Sequence, residues 1–299
     1  MPENSYHHQV SLLIDVLPEI EKEECLAIHG GTAINLFVRN MPRLSVDIDL
    51  TYIHIEERDD SLQKISHTLS NIKNNLEAKI QGVSITHNEK TAKLFISNSS
   101  ATVKLEVNLT KRGILGSTQK KAICAKAQSE FEKFCEVSVV STGELYGGKI
   151  CAALDRQHPR DLFDIKYLLD NEGITEDIKR GFIYYLICSD RPIEEVLDPN
   201  LKDQESVLES QFEGMTKEPF SYDDFMKTRE KLIKEIKESL NNDDKAFLMS
   251  FKNVEPDWNI YDFSEFPAVK WKLMNLAKLK ENNIQKHKEQ VDKLKNVLE

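Results

Sequence analysis

The segment Ser45-Val-Asp-Ile-Asp-Leu-Thr51 constrains the fold more than any other stretch of this chain. Val46, Ile48 and Leu50 alternate with Asp47, Asp49 and Thr51. That period of two belongs to a strand with one buried and one polar face. The apolar face of such a strand needs neighbouring strands and a covering layer to bury it. A second strand of the same kind is predicted over Thr102–Leu109, where Val103, Leu105, Val107 and Leu109 alternate with Lys104, Glu106 and Asn108. Lys93–Ser97 is predicted to precede it through the turn Asn98-Ser99-Ser100, and Val137–Val140 to add a short strand.

Elsewhere the period lengthens. Val10, Leu13, Ile14, Leu17 and Ile20 predict a helix from Tyr6 to Glu24, kinked or shortened by Pro18. Leu62, Ile65, Leu69, Ile72 and Leu76 predict a second long helix. Between them, Cys25–Ile28, then His29-Gly30-Gly31-Thr32, then an apolar stretch to Phe37 read as strand, tight turn and helix. From Ser141 the texture is helical. Ser141-Thr-Gly-Glu144 has capping-box spacing and opens a helix to Arg156 that His158-Pro159 stops. Further helices are expected over Arg160–Asn171, Thr175–Cys188 and about 222–240 and 266–298, with 190–220 a linking or decorating region. The chain thus divides near residue 141 into an α/β or α+β first half and a helical second half. The last segment carries Ile284, His287, Val291, Leu294 and Leu298 at near-heptad spacing. Packing on its own body and binding of a partner helix both remain open for it.

The five cysteines are scattered, without C-x-x-C spacing, and are expected to be small buried hydrophobes rather than zinc ligands or a disulfide framework. A net charge of −10 disfavours non-specific nucleic-acid binding by the whole surface. A polynucleotide would need a local patch, for which Lys104, Lys111, Arg112, Lys120 and Lys121 are the candidates. No apolar run is long enough to span a bilayer, and MPENSYHHQV lacks a basic segment followed by an apolar one, so a cytoplasmic protein is expected.

The chemistry lies on the polar face of the strands. Residues i and i+2 of a strand share a face, so Asp47 and Asp49 stand side by side. Two adjacent carboxylates raise each other's pKa unless a cation lies between them. Mg²⁺ suits such a pair, because it takes oxygen ligands and keeps positions for water and phosphate. Glu106 lies on the polar face of its own strand, and if the two strands are neighbours three acids converge. Gly30-Gly31-Thr32, between strand and helix, would let a backbone approach phosphates closely, with free N–H groups at the helix start and the Thr32 hydroxyl beside them. No Walker A sequence, nucleophile elbow, dinucleotide fingerprint or His/Cys metal spacing is found.

Taken together, Gly30-Gly31-Thr32, Asp47-x-Asp49 and Glu106 resemble the nucleotidyltransferase signature of the polymerase-β-like superfamily. Leu145-Tyr-Gly-Gly-Lys149 through Arg156, followed by Arg160-Asp161-Leu-Phe-Asp164, looks like the helical signature of the AbiEii/AbiGii toxin family. The resemblance covers about 25 to 170. It implies an α+β fold: a nucleotidyltransferase domain with a mixed sheet flanked by helices over residues 1–140, then a helical domain over 141–299 that contributes Lys149 and Asp164 to the active site. It further implies an enzyme that transfers a nucleotide from an NTP. Asp47, Asp49 and Glu106 would hold Mg²⁺. Gly30, Gly31, Thr32, Lys149, Arg160 and Asp161 would bind nucleotide, and Asp164 would act with Lys149. Asp161 and Asp164 share a helix face, so that one can orient Lys149 or Arg160. The expected acceptor is the 3′ end of tRNA, which would inhibit translation, and the expected partner is a DNA-binding antitoxin encoded by a neighbouring gene. A small-molecule, antibiotic-type nucleotidyltransferase and a nucleotide-binding regulator with little turnover are the alternatives left open.

Overall fold

A mixed sheet organises the first part of the chain, as the alternating strands require. The structure is a computed structural model that describes residues 3–299, with side chains from Ser5 onward. In order come α1 (Glu3–Ile20), β1 (Leu26–His29), α2 (Gly30–Ala33), β2 (Asp47–Tyr52), α3 (Arg58–Lys79), β3 (Ser84–Asn88), β4 (Lys93–Ser97), β5 (Thr102–Val107), β6 (Gln119–Ala122), α4 (Ala125–Phe131) and β7 (Glu136–Val139). Among the described residues these seven strands form one sheet in the order β3-β4-β5-β2-β1-β7-β6. β2 runs parallel to β5 and β1 to β7, and the other pairs are antiparallel. The β4–β5 turn is set by Asn98, whose Oδ1 accepts the backbone N–H groups of Ser100 and Ala101, each at 2.8 Å.

The alternation works as the sequence predicts. Ile48, Leu50, Leu94, Ile96, Val103, Leu105 and Val107 are all buried on one side of the strands. α1 and α3 pack on each other and on the sheet, burying Val10, Leu13, Ile14 and Leu17 from one helix and Ile65, Leu69, Ile72 and Leu76 from the other. Each such aliphatic side chain contributes about 1.5–3 kcal/mol relative to exposure.

The chain forms two units. One holds the residues up to Leu145 together with Leu208–Pro219; the other holds Tyr146–Val207 and Phe220–Glu299. The return of 208–219 to the first unit has a simple cause in that segment. Met215 O accepts Leu44 N–H at 2.7 Å, and Thr216 Oγ1 donates to Pro42 O at 2.9 Å.

The remaining helices are α5 (Thr142–Arg156), α6 (Pro159–Asn171), α7 (Glu176–Ile187), α8 (Ile193–Leu197), α9 (Glu205–Gln211), α10 (Tyr222–Ser239), α11 (Asn242–Lys252), α12 (Pro267–Asn282) and α13 (Ile284–Leu298), and they build the second unit except for the start of α5 and the end of α9, which fall in the first. Pro159 opens α6 as well as ending the helix before it, because a first-turn proline loses no helical hydrogen bond. The predicted 266–298 helix is two helices. Asn283 breaks it with φ −152° and ψ 72°, and its side chain caps the next helix by accepting Lys286 N–H at 3.0 Å. α13 packs on its own body. His287, Leu294 and Leu298 are buried, and His287 Nε2 bonds the carbonyl of Lys252 at 2.9 Å. Lys252 itself is buried and paired with Glu194 at 2.9 Å, which ties α11 to α8. Among the described residues no helix is long and apolar enough to cross a membrane.

Gly147 on α5 faces α7 so closely that a Cβ there would run into the backbone of Gly181 and Phe182. The two helices therefore meet backbone to backbone. Gly147→Val is expected to cost at least about 1–3 kcal/mol through overpacking, read as a lowered thermal midpoint. An unchanged midpoint would mean the helices do not approach this closely.

Candidate active site

The polar face of the sheet carries charged residues in ordered rows. Strand register puts His29 of β1, Asp49 of β2, Glu106 of β5 and Lys93 of β4 in one row across the sheet. The next row holds Asp47, Lys104 and Phe95. Register partners point to the same side, and so do residues two apart along a strand. Asp47, Asp49 and Glu106 thus share one face.

The side chains on that face form a half-exposed ionic cluster. Lys104 Nζ lies 3.9 Å from Asp47 Oδ1 and 3.3 Å from Glu106 Oε2, and Lys93 Nζ lies 3.2 Å from the same Glu106 oxygen. All four of these side chains are about one-third exposed. Two carboxylates meet two ammonium groups here. The sequence placed Lys104 in a basic patch, but the sheet separates it from Lys120 and Lys121. Those two stand on edge strand β6, four strands away from β5, and Arg112 is buried with Nη1 donating to the Arg58 carbonyl.

The glycine turn abuts this face. Gly30 has φ +73°, and a Cβ built on it would fall on the carboxylate of Asp49. Two separate constraints therefore require glycine at this position: the left-handed backbone and the space that Asp49 fills. At Gly31 a Cβ would lie 2.9 Å from Arg43 Nη2 and 3.1 Å from Ser45 Oγ. Thr32 is buried, hydrogen-bonds with Ser45 Oγ at 3.0 Å and donates to the Asp47 carbonyl. Its hydroxyl fastens the turn to the strand that bears the aspartates. The helix after the turn continues from α2 as a π-helical turn over Ile34–Val38, a local widening often found beside functional sites.

In the second unit Lys149 is buried between two carboxylates, 2.8 Å from Asp161 Oδ1 and 3.1 Å from Asp164 Oδ2. Asp161 is also gripped by Arg156, whose Nε and Nη2 lie 2.5 and 3.0 Å from its two oxygens. Burial works to raise the Asp161 pKa, but the charges of Lys149 and Arg156 outweigh it and hold the carboxyl well below the usual range. Asp161 orients Lys149, one of the partners expected from the sequence. Its second partner, Arg156, was not foreseen, because it lies across the helix break five residues earlier. Arg160 is half-buried, and its N–H is accepted by His158 Nδ1 at 3.1 Å, so His158 caps α6.

The face of the sheet can be tested for its fit to a divalent cation. Among the described residues no three His, Cys, Asp or Glu side chains are gathered as a metal-holding group, since Glu106 turns to Lys93 and Lys104. Asp47 and Glu106 nevertheless share the ammonium of Lys104, so their oxygens reach a common cation. A half-exposed carboxylate pair that leaves other positions open fits the needs of Mg²⁺.

Comparison with known proteins adds the family. The sequence matches the family model described as "Nucleotidyl transferase AbiEii toxin, Type IV TA system" over residues 11–275. No curated protein matches it. Among solved structures the fold is similar to that of MenT4, a nucleotidyltransferase toxin from Mycobacterium tuberculosis H37Rv, with TM-score 0.65 and 13% identity over 92% of this chain and 95% of that one. At this identity the likeness speaks for the fold alone. The family match spans most of the chain: this protein belongs to the AbiEii nucleotidyltransferase toxins of type IV toxin–antitoxin systems.

Proposed function

We propose that this toxin transfers a nucleoside monophosphate from an NTP to the 3′ end of tRNA in the cytoplasm, in a Mg²⁺-dependent reaction that stops translation. The observation that carries the reading is the meeting of the Gly30-Gly31 turn with the carboxylate face, where Asp49 fills the space beside Gly30. The acceptor hydroxyl attacks the α-phosphorus, the bond to the bridging oxygen breaks, pyrophosphate leaves, and the hydroxyl proton passes to solvent or a nearby base. Asp47 and Asp49, with Glu106 alongside, are the residues to hold Mg²⁺. Bound there, the ion would offset charge on the phosphate oxygens and on the leaving group.

The chain's own groups do the positioning. We read the Gly30-Gly31 backbone as the part of the turn that a triphosphate would approach, with the Asp49 carboxylate beside Gly30 and Arg43 and Ser45 beside Gly31. Thr32 and Ser45 keep that turn in register with Asp47. In the second unit we propose Lys149 as the charge used in the reaction and Asp164 as acting with it, with Asp161 and Arg156 fixing the lysine's position and Arg160 contacting nucleotide. A buried lysine held by two carboxylates has one defined geometry, which is what a positioned cation needs. The proposed counterpart is a DNA-binding antitoxin encoded by a neighbouring gene.

Three outcomes are expected. With Mg²⁺ and each α-labelled NTP, offered total tRNA or total cell protein, label enters tRNA from one NTP, and Asp47→Ala abolishes this at unchanged thermal stability. Absence of label from tRNA would overturn the acceptor. Gly30→Ala should lower turnover by more than about tenfold while costing only about 1–3 kcal/mol of stability, because the added methyl displaces Asp49; normal turnover would mean the turn takes no part. Lys149→Met should eliminate transfer in protein that still unfolds cooperatively. If activity survives wherever the fold does, the lysine is structural.

A further inference from the structure

The first unit contains a cavity of about 530 Å³ that none of Asp47, Asp49 and Glu106 lines. Its floor is Met41, Pro42 and Met215, all buried or nearly so, with the buried guanidinium side chain of Arg43 among them. Lys126 and Lys217 stand exposed at its rim, with His7 and Glu130 on another side. The returning segment Leu208–Pro219 supplies Met215 and Lys217, so the cavity exists only because that segment docks on the first unit.

The lining has an unusual charge for this protein. The chain carries −10 overall, yet Arg43, Lys126 and Lys217 face one carboxylate, Glu130, which has His7 Nε2 at 3.7 Å. Lys126 Nζ donates one hydrogen bond, to the Met41 carbonyl at 2.8 Å, and an ammonium has three protons to give. Methionine floors adapt to flat or irregular apolar groups. A volume of this size lies within the range of about 300–1,000 Å³ usual for small-molecule sites. Met41 also holds a left-handed backbone, φ +48°, which a non-glycine residue adopts at a cost.

We propose that this cavity is a second ligand site on the toxin, one that takes a nucleoside 5′-monophosphate unit. The phosphate lies at the lysine rim and the nucleoside on the methionine floor. The unit could come from a free nucleotide or from the end of an oligonucleotide, since the recognised chemistry is the same. Arg43 connects this site to the glycine turn. Its Nη2 lies 2.9 Å from where Gly31 would carry a side chain, so an occupant that draws on Arg43 acts on the turn beside Asp49. The proposal does not depend on which acceptor the toxin modifies.

Calorimetric titration of the full chain, without Mg²⁺ or NTP, tests this. The probes are the four nucleoside 5′-monophosphates, the unphosphorylated nucleosides, and a 5′-phosphorylated trinucleotide RNA. The variants are wild type, Asp47→Ala and the double charge reversal Lys126→Glu/Lys217→Glu, with Lys126→Ala/Lys217→Ala as a milder pair if the reversal does not fold. At least one monophosphate should bind wild type and Asp47→Ala alike, its nucleoside at least about tenfold more weakly, and the lysine pair should weaken the monophosphate by at least about tenfold. Loss confined to the trinucleotide would assign the site to an oligonucleotide end. Affinities that the lysine substitutions leave unchanged, or no binding of either phosphorylated probe to wild type, would overturn the proposal.

Discussion

Asp49 and Gly30 exclude one another's alternatives, and the rest of the candidate site is arranged around that fact. The carboxylate fills the volume a side chain at position 30 would need, while φ +73° at Gly30 already disfavours any other residue. The antiparallel pairing of β1 with β2 sets His29 opposite Asp49, which brings the end of β1 and the turn after it beside the carboxylates. A one-residue slip in β2 would turn both aspartates into the apolar layer and Ile48 and Leu50 out of it. Burying two carboxylates without partners is far more costly than any gain from such a slip. The hydrophobic pattern that folds the sheet is thus the same constraint that presents the acids.

A different constraint governs the second unit. Lys149, Asp161 and Asp164 are all buried, and withdrawing charges from water offsets most of what their attraction returns. Apolar residues of similar volume would serve stability as well. What the ionic arrangement gives is a lysine in one place, with Arg156 closing the far side of Asp161. Gly147 contributes in its own way, by letting α5 and α7 approach closely just two residues before Lys149.

Much of this was legible in the residues. The strands bearing Asp47, Asp49 and Glu106 follow from alternation, and α1 and α3 from their apolar spacing. The strands that escaped notice, β3 and β6, are the two edges of the sheet. Edge strands bury little: Ile85 is the buried residue of β3, and Gln119-Lys120-Lys121-Ala122 has no apolar face at all. The helix break at Asn283 was hidden because α12 and α13 flank it with nearly continuous periodicity and an asparagine is weak punctuation. The return of 208–219 to the first unit rests on Met215 O and the Thr216 hydroxyl bonding to Leu44 and Pro42, and no local pattern encodes a partner more than 160 residues away. Glu106 shows the same limit. Alternation places it on the right face, but its pairing with Lys93 and Lys104 depends on strand order.

The acidity of the chain is compatible with polyanionic substrates because charge acts locally. At physiological ionic strength interactions fade beyond about 8 Å, so the field at the carboxylate face is set mainly by Asp47, Asp49 and Glu106 against Lys93 and Lys104. The net charge of −10 works instead on loose association, which it suppresses over the general surface. A toxin with this charge distribution has to recognise its substrates at a few fixed groups. Lys149 and Arg43 are cations of that fixed kind, each buried and held by its neighbours rather than mobile at the surface.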